Sequence, residues 1–122
     1  MKTLILFILF GVACSGSKFL PPGKKCQKLT LSELYDDNIW DTCEENQVPH
    51  CVLDDQCRHV RVCLKAVTIS KGRCPVYNAR ENKMETRECT GEKCPDVNFS
   101  SQAVVKFDGC FQEINCSKRD EL

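Results

Sequence analysis

The chain has 122 residues, which is enough for one domain, or for one domain with a tail, but too few for several. Basic and acidic residues are equal in number, and the formal net charge is zero. Aromatic residues make up only 7% of the chain, while 11 residues are cysteines. The apolar core must therefore be thin, and cross-links must replace part of it.

The first residues have the features of a secretion signal. A basic start precedes an apolar run over residues 3–13, and small residues follow at positions 14–17. Such a run is too short to cross a bilayer as a helix. We predict a signal peptide over residues 1–16, cleaved after Ser15, Gly16 or Ser17. We also predict a secreted protein without membrane insertion, for which nucleic acid is not the expected partner.

Cleavage of this peptide removes Cys14 and leaves an even number of cysteines. In a secreted chain of this length they predict a disulfide framework formed in an oxidising compartment. Zinc would require closer cysteine pairs with nearby histidines, whereas His50 and His59 are isolated, so we predict no metal and no cofactor. The ten predicted disulfide cysteines are Cys26, Cys43, Cys51, Cys57, Cys63, Cys74, Cys89, Cys94, Cys110 and Cys116.

Residues 17–37 are predicted to form an N-terminal arm. Its first part, Lys18 to Lys25, contains two prolines and a glycine and is expected to be mobile. Thr30 and Glu33 then have the spacing of a capping box, which predicts one or two helical turns over residues 32–36. No further helix is expected after them.

Two later segments alternate in side-chain character with a period of two and end on a cysteine. They run from Arg58 to Cys63 and from Lys83 to Cys89, and both are predicted as strands. Arg61 and Arg87 each precede the closing cysteine by two residues, so the two guanidinium groups could share one face of a strand pair. The only tryptophan, Trp40, could stack between them.

These features resemble a thrombospondin type-1 repeat. The matching residues are Trp40 to Cys43, Arg61 to Cys63, Cys74-Pro75 and, most specifically, Glu85 to Pro95; the resemblance covers about half of the chain. It implies an elongated three-stranded repeat over residues 38–95 with Trp40, Arg61 and Arg87 stacked together. It also implies three disulfides, Cys43–Cys89, Cys51–Cys94 and Cys63–Cys74.

Residues 96–122 are predicted as a short C-terminal hairpin and tail. Residues 102–107 form an apolar strand pattern, Asp108-Gly109 a turn, and residues 110–114 a return strand. This region contains two of the four cysteines that the repeat leaves over. Those four allow three pairings, and the sequence does not choose among them: Cys26, Cys57, Cys110 and Cys116.

Charge is distributed unevenly along the chain. Residues 26–56 contain eight acids and one base, a net charge of −7, and residues 57–94 contain nine bases and four acids, a net charge of +5. Either the two halves fold against each other, or the basic strands face a sulfated glycan or an acidic protein. The candidate binding residues on these strands are Arg58, Lys65, Lys83 and Lys93.

Catalytic chemistry has little support in the sequence. His50 and His59 are the available histidine bases, and neither has a recognisable nucleophile or orienting acid beside it. We therefore predict no enzyme activity. Asn98, in the sequon Asn-Phe-Ser, is a candidate glycosylation site.

The sequence thus predicts a monomeric, secreted, disulfide-rich binding protein for an extracellular protein or sulfated glycan. One alternative is a secreted inhibitor of a protease, chemokine or complement protein, of the type found in venom or saliva. A second is a protein of the endoplasmic reticulum lumen. Its basis is the final four residues, which are similar to a receptor-read retention signal: Arg119, Asp120, Glu121 and Leu122.

Overall fold

The computed structural model describes residues 17–36 and 38–116. The strands are Lys18–Phe19 (β1), Val48–Leu53 (β2), His59–Leu64 (β3), Thr68–Ile69 (β4), Arg73–Asn78 (β5), Lys83–Glu88 (β6) and Phe99–Ser100 (β7). The helices are one α-helix, Leu31–Leu34 (α1), and four 3-10 helices, Cys26–Lys28, Ser101–Lys106, Asp108–Phe111 and Glu113–Asn115. The predicted class, a small disulfide-rich and mainly β protein, is confirmed. The predicted signal peptide (residues 1–16) and the motif Arg119 to Leu122 lie outside the described residues.

The central unit is an antiparallel hairpin of β2 and β3, in which Val52 lies opposite Val60. Asp54 shapes the turn between the strands. Its Oδ1 accepts hydrogen bonds from the backbone N–H groups of Gln56 and Arg58, each at 2.9 Å. These bonds satisfy turn donors that the strand ladder leaves unpaired. The strand predicted over residues 58–63 is thus observed as β3.

The N-terminal arm begins as a third strand of this sheet. β1 pairs with the outer edge of β3, so that Lys18 lies opposite Arg61, and the guanidinium of Arg58 lies 4.6 Å from the centre of the Phe19 ring. The expectation of a mobile segment from Lys18 onward is therefore wrong for its first residues, because backbone pairing and this ring contact anchor them. The predicted capping box is confirmed at α1.

A second antiparallel ribbon consists of β5 and β6, with Arg73 opposite Glu88 and Asn78 opposite Lys83. The predicted strand Lys83 to Cys89 is observed as β6. Its partner is β5, however, and not β3. A short turn joins β5 to β6, and local pairing of this kind requires little loop closure. The expectation that Arg61 and Arg87 share one face of a strand pair is therefore wrong.

The core lies between the central sheet and the β5–β6 ribbon. It is built from β-branched and aromatic side chains of both units together with residues of the β4–β7 pair and the chain that follows. Burial removes these side chains from water and is the main favourable term in the folding free energy. The largest members are Val52, Val60, Val62, Leu64, Ile69, Tyr77, Phe99 and Val104.

The segment predicted as a C-terminal hairpin forms 3-10 helices, so that prediction is wrong. Ser101 and Val104 are both buried and are spaced by three residues, the period of a 3-10 helix and not that of a strand. Packing also constrains Gly109. A Cβ at this position would lie 2.7 Å from the carbonyl oxygens of Glu92 and Lys93. The segment contributes Val104 and Cys110 to the core.

All ten cysteines predicted to form disulfides are paired, as Cys26–Cys51, Cys43–Cys63, Cys57–Cys116, Cys74–Cys110 and Cys89–Cys94. The pairing implied by the resemblance, Cys43–Cys89, Cys51–Cys94 and Cys63–Cys74, differs at every bond and is corrected here. The reason is the sheet arrangement. β6 pairs with β5 and not with β3, so Cys63 meets the chain after Trp40, and Cys89 bonds to Cys94 across a short turn.

Candidate functional site

Trp40 and Arg61 meet as predicted, and their contact is buried. The Arg61 guanidinium lies 5.6 Å from the Trp40 ring centre. Arg61 is 6% exposed and Trp40 is 7% exposed. Arg61 also donates to the carbonyl oxygens of Asp41 (2.9 Å) and Leu34 (3.1 Å), while the Trp40 indole N–H donates to Glu33 (3.0 Å). This arrangement holds the chain around α1 against β3.

The third predicted member of the stack lies elsewhere. Arg87 is on β6, in the other sheet, and its guanidinium donates to the backbone carbonyl of Cys116. Among the described residues, the stack thus consists of one tryptophan and one arginine. Arg87 instead ties the end of the C-terminal segment to the β5–β6 ribbon.

Three of the four candidate binding cations make ion pairs with acids of the same chain. Arg58 pairs with the buried carboxylate of Asp54 (2.9 Å), Lys83 with Glu81 (3.0 Å) and Lys93 with Asp108 (3.9 Å). Among the described residues, Lys65 is exposed and makes no ion pair. Three of the four charges are thus already close to an acid of the same chain. These contacts give the glycan hypothesis no added support.

Both histidines make hydrogen bonds within the fold. His50 is fully buried, its Nδ1 lies 3.0 Å from the carbonyl oxygen of Val48, and its Nε2 lies 2.7 Å from Oγ of Ser101. Burial lowers the pKa of His50 below its usual range, and the hydrogen bond to Val48 opposes this shift. Ser101 Oγ accepts in turn from the Val67 N–H at 3.0 Å. The pair joins β2 to the loop before β4 and to the C-terminal segment.

His59 is half-buried. Its Nδ1 accepts from the Cys26 N–H at 3.1 Å, and its ring stacks on Phe111 with 5.7 Å between centres. Burial, followed by the nearby charge of Lys25, lowers its pKa. Because Nδ1 of His59 accepts this bond, His59 must be neutral when the bond is present.

An open cleft lies between α1 and the C-terminal segment and has a volume of about 460 Å³. We call it the helix cleft. Most of its wall is apolar, and a buried side-chain oxygen of Gln27, at its edge, has no hydrogen-bond partner among the described residues. A volume of this size is typical of ligand pockets. The cleft is lined by Gln27, Leu29, Thr30, Leu31, Leu34, Ser100, Gln102, Ala103, Val105 and Lys106.

Three large apolar side chains beside this cleft are open to solvent. Leu31, Tyr35 and Ile39 are 63%, 48% and 55% exposed, and we call them the apolar ridge. Leu31 lines the helix cleft, and the Tyr35 hydroxyl accepts from the Gln102 side chain at 3.0 Å. Ile39 borders a second, smaller depression that shares Leu29 with the helix cleft. Exposed apolar groups that adjoin a cleft are typical of interaction sites.

Sequence reasoning missed the apolar ridge, although its signal is visible. The three residues are spaced by four within a polar segment, which on a helix would indicate a buried face. The helix is only one turn long, however, and Leu34 alone of its residues is buried. Residues 33–45 also contain six acids and no base, which gives the chain around the ridge a negative charge.

The predicted glycosylation site and one cluster of sulfur atoms can also be placed. Asn98 is exposed, and its side-chain oxygen accepts a hydrogen bond from the Lys71 N–H at 2.9 Å. A glycan would attach to the side-chain nitrogen of Asn98, which this bond does not involve. The sulfurs of Cys74, Cys89 and Cys110 lie within 4.8 Å of one another. Each belongs to a disulfide, and oxidised sulfur is not a metal ligand of the thiolate type.

Comparisons of the chain with protein-family models, curated proteins and solved structures find no match. The thrombospondin type-1 resemblance therefore stays a prediction from the sequence. Within residues 17–36 and 38–116, no helix is long and apolar enough to cross a membrane.

Proposed function

We propose that this protein is a secreted, disulfide-rich binding protein that binds another extracellular protein through the apolar ridge and the helix cleft. The observation that supports this proposal is the exposure of Leu31, Tyr35 and Ile39 side by side with an apolar cleft. Interfaces of specific complexes have apolar and aromatic anchors that are buried on binding and a polar rim around them. The apolar ridge offers such anchors.

The charge around the ridge indicates what kind of partner would fit. Glu33 and Asp36 lie next to the ridge residues in the chain, and exposed acids continue at Asp41, Glu44 and Glu45. Asp41 is the one of these that pairs with a lysine, Lys18, at 3.2 Å, and both side chains remain about half exposed. A partner with basic groups around an apolar contact would be attracted to this side, which raises association rates.

A rigid support favours such a role. The Cys43–Cys63 bond and the Trp40–Arg61 contact fix the chain after the ridge, and Cys26–Cys51 fixes the chain before it. A surface that is already ordered loses little conformational entropy on binding. If the partner is a protease, chemokine or complement protein, occupation of its active or receptor-binding surface would make this protein an inhibitor. The proposal includes this alternative as a consequence of the same binding.

The test uses two matched double variants. Leu31→Ser with Ile39→Ser removes two ridge anchors, and Val97→Ser with Ile114→Ser removes two side chains that are 53% and 49% exposed elsewhere. Each variant is titrated against a panel of immobilised basic chemokines, serine proteases and complement proteins. The ridge variant should lose at least tenfold in affinity for a panel member that binds the wild type, about 1.4 kcal/mol.

Two results would overturn the proposal. The first is that no panel member binds the wild-type protein. The second is that the ridge variant and the control variant lose affinity equally, since this would show a general effect of surface apolar groups.

The compartment is a separate proposal. The disulfides fit an oxidising compartment, either outside the cell or in the endoplasmic reticulum lumen. Comparison of secretion between the full chain and one that lacks Asp120 to Leu122 separates the two. A rise in secretion on truncation would support retention, and equal secretion would show that the four terminal residues are inert.

A further inference from the structure

Two of the five disulfides among the described residues lie close together. The Cys74–Cys110 bond joins β5 to the Asp108–Phe111 helix, and the Cys89–Cys94 bond closes the turn after β6. The sulfurs of Cys74, Cys89 and Cys110 all lie within 4.8 Å of one another. The sulfur of Cys89 is therefore a direct neighbour of a disulfide to which it does not belong.

The two bonds differ in their accessibility to solvent. Cys74 is 0% exposed and Cys110 is 3% exposed, whereas Cys89 and Cys94 are each partly exposed, and the four residues between them are exposed. Thiol–disulfide exchange requires that the attacking thiolate reach a sulfur atom. A reductant in solution can thus reach Cys89–Cys94, while the inner bond is shielded from it.

A buried side chain lies beside the Cys89 sulfur and helps to hold it in place. The Asn115 amide nitrogen lies 3.4 Å from this sulfur and also donates to the carbonyl oxygens of Thr90 (3.0 Å) and Gly109 (2.8 Å). Asn115 is 2% exposed, and its side-chain oxygen accepts from the Thr90 N–H at 2.7 Å. The two carbonyl oxygens lie closer to the amide nitrogen than the sulfur does, so the contact with sulfur is weak and serves to position Cys89. The nucleophile is the Cys89 thiolate, which forms when the reduced thiol loses its proton to solvent.

We propose that Cys89–Cys94 is an exchange disulfide that passes reduction from the surface to the buried Cys74–Cys110 bond. The reductant is a dithiol, which gives up two electrons, breaks the Cys89–Cys94 bond and becomes a disulfide itself. The Cys89 thiolate then attacks the sulfur of Cys74 or Cys110. A new bond to Cys89 forms, the Cys74–Cys110 bond breaks, and the displaced cysteine leaves as a thiolate and takes up a proton.

The exchange itself consumes no electrons. Two thiols are present before and after it, first those of Cys89 and Cys94, and then that of Cys94 with the displaced cysteine. What changes is the cross-link. If Cys89 bonds to Cys74, the Asp108–Phe111 helix loses its disulfide, and if Cys89 bonds to Cys110, β5 loses its disulfide. The bonds Cys26–Cys51, Cys43–Cys63 and Cys57–Cys116 stay in place in both cases. The site therefore acts as a thiol-sensitive switch in the C-terminal segment.

The first experiment uses the mature oxidised protein and a limiting amount of dithiothreitol. After acid quenching and alkylation, the linkages are mapped by mass spectrometry. We expect loss of the native Cys74–Cys110 linkage, new peptides linked through Cys89 to Cys74 or Cys110, and alkylated Cys94. If Cys89 and Cys94 are the alkylated pair and Cys74–Cys110 is intact, or if another disulfide opens first, the proposal is wrong.

A matched pair of variants tests the same step without a reductant. Cys94→Ser leaves the Cys89 thiol inside the sulfur cluster, whereas Cys89→Ser leaves the Cys94 thiol, which does not belong to that cluster. The Cys94→Ser variant should lose the native Cys74–Cys110 linkage in favour of a bond to Cys89, and the Cys89→Ser variant should keep it. The proposal is overturned if the Cys74–Cys110 linkage is retained to the same extent in both variants. If either variant fails to fold, the wild-type mapping decides.

Discussion

The Nε2 atom of the buried His50 lies 2.7 Å from the hydroxyl oxygen of the buried Ser101. This bond joins β2 to the first residue of the C-terminal 3-10 segment, 51 positions later in the chain. In the neutral imidazole, the Nδ1–H that faces the Val48 carbonyl is the donor, so Nε2 accepts the Ser101 hydroxyl proton. The Ser101 oxygen in turn accepts from the Val67 N–H. One hydroxyl thus connects three parts of the fold.

Replacement of this hydroxyl should destabilise the protein. Ser101→Ala leaves the nitrogen of the fully buried His50 without its partner, which costs about 1–3 kcal/mol, and it also removes the acceptor of the partly buried Val67 N–H. Urea unfolding measured by circular dichroism checks this. Ser70→Ala, at an exposed serine in the same half of the chain, is the control and should leave the midpoint unchanged. Equal midpoints for Ser101→Ala and wild type would contradict this role.

Stability should fall between pH 7 and pH 5 because of the two histidines. The folded-state pKa values of His50 and His59 are lowered, chiefly by burial, from the usual value of 6.5. As the pH falls through 6.5, the unfolded chain therefore binds more protons than the folded protein does. The free energy of unfolding is highest above pH 6.5 and decreases as the pH falls below it. Urea midpoints at a series of pH values measure the loss. His50→Gln should flatten the curve, and a wild-type midpoint that does not change between pH 7 and pH 5 would disprove the prediction.

The Trp40 contact should be structurally important. Trp40→Ala removes a buried indole and its contact with Arg61, and it should cost about 3–5 kcal/mol of unfolding free energy. Trp40→Phe keeps a ring and loses the indole bond to Glu33, which costs about 1 kcal/mol. The exposed neighbour Ile39 provides the control, since Ile39→Ala should change the urea midpoint little. The prediction fails if Trp40→Ala is as stable as this control.

The sulfated-glycan hypothesis can be tested without disturbing the fold. Arg58 is left in place because its removal would leave the buried Asp54 carboxylate without its ion pair. Lys65→Gln, Lys83→Gln and Lys93→Gln are combined in one variant. We expect wild-type protein to leave a heparin column below about 0.15 M salt, because three of the four candidate cations already lie beside an acid and the weak attraction that remains is screened as the salt concentration approaches this value. Stronger wild-type retention that the triple variant loses would instead support glycan binding. Lys24→Gln, Lys25→Gln and Lys28→Gln form the control.

The sequence alone determined those features that depend on short-range chemistry. The capping box at Thr30 and Glu33, the alternation before Cys63 and Cys89, and the presence of a disulfide framework follow from local spacing and cysteine content, and the structure has them all. Local patterns are reliable here because the groups that interact are near each other in the chain.

Only the tertiary structure decided which distant groups meet. The alternating pattern of a strand does not specify its partner strand. β6 pairs with β5 across a short turn and not with β3, so the disulfide pairing differs from the one that the resemblance implied. Burial of Ser101 and Val104 turned a strand-like segment into a 3-10 helix. The contact of Cys89 with a second disulfide and the exposure of the apolar ridge likewise depend on how the elements pack. These outcomes are set by the free energy of burying the whole core, which no short segment of the sequence contains.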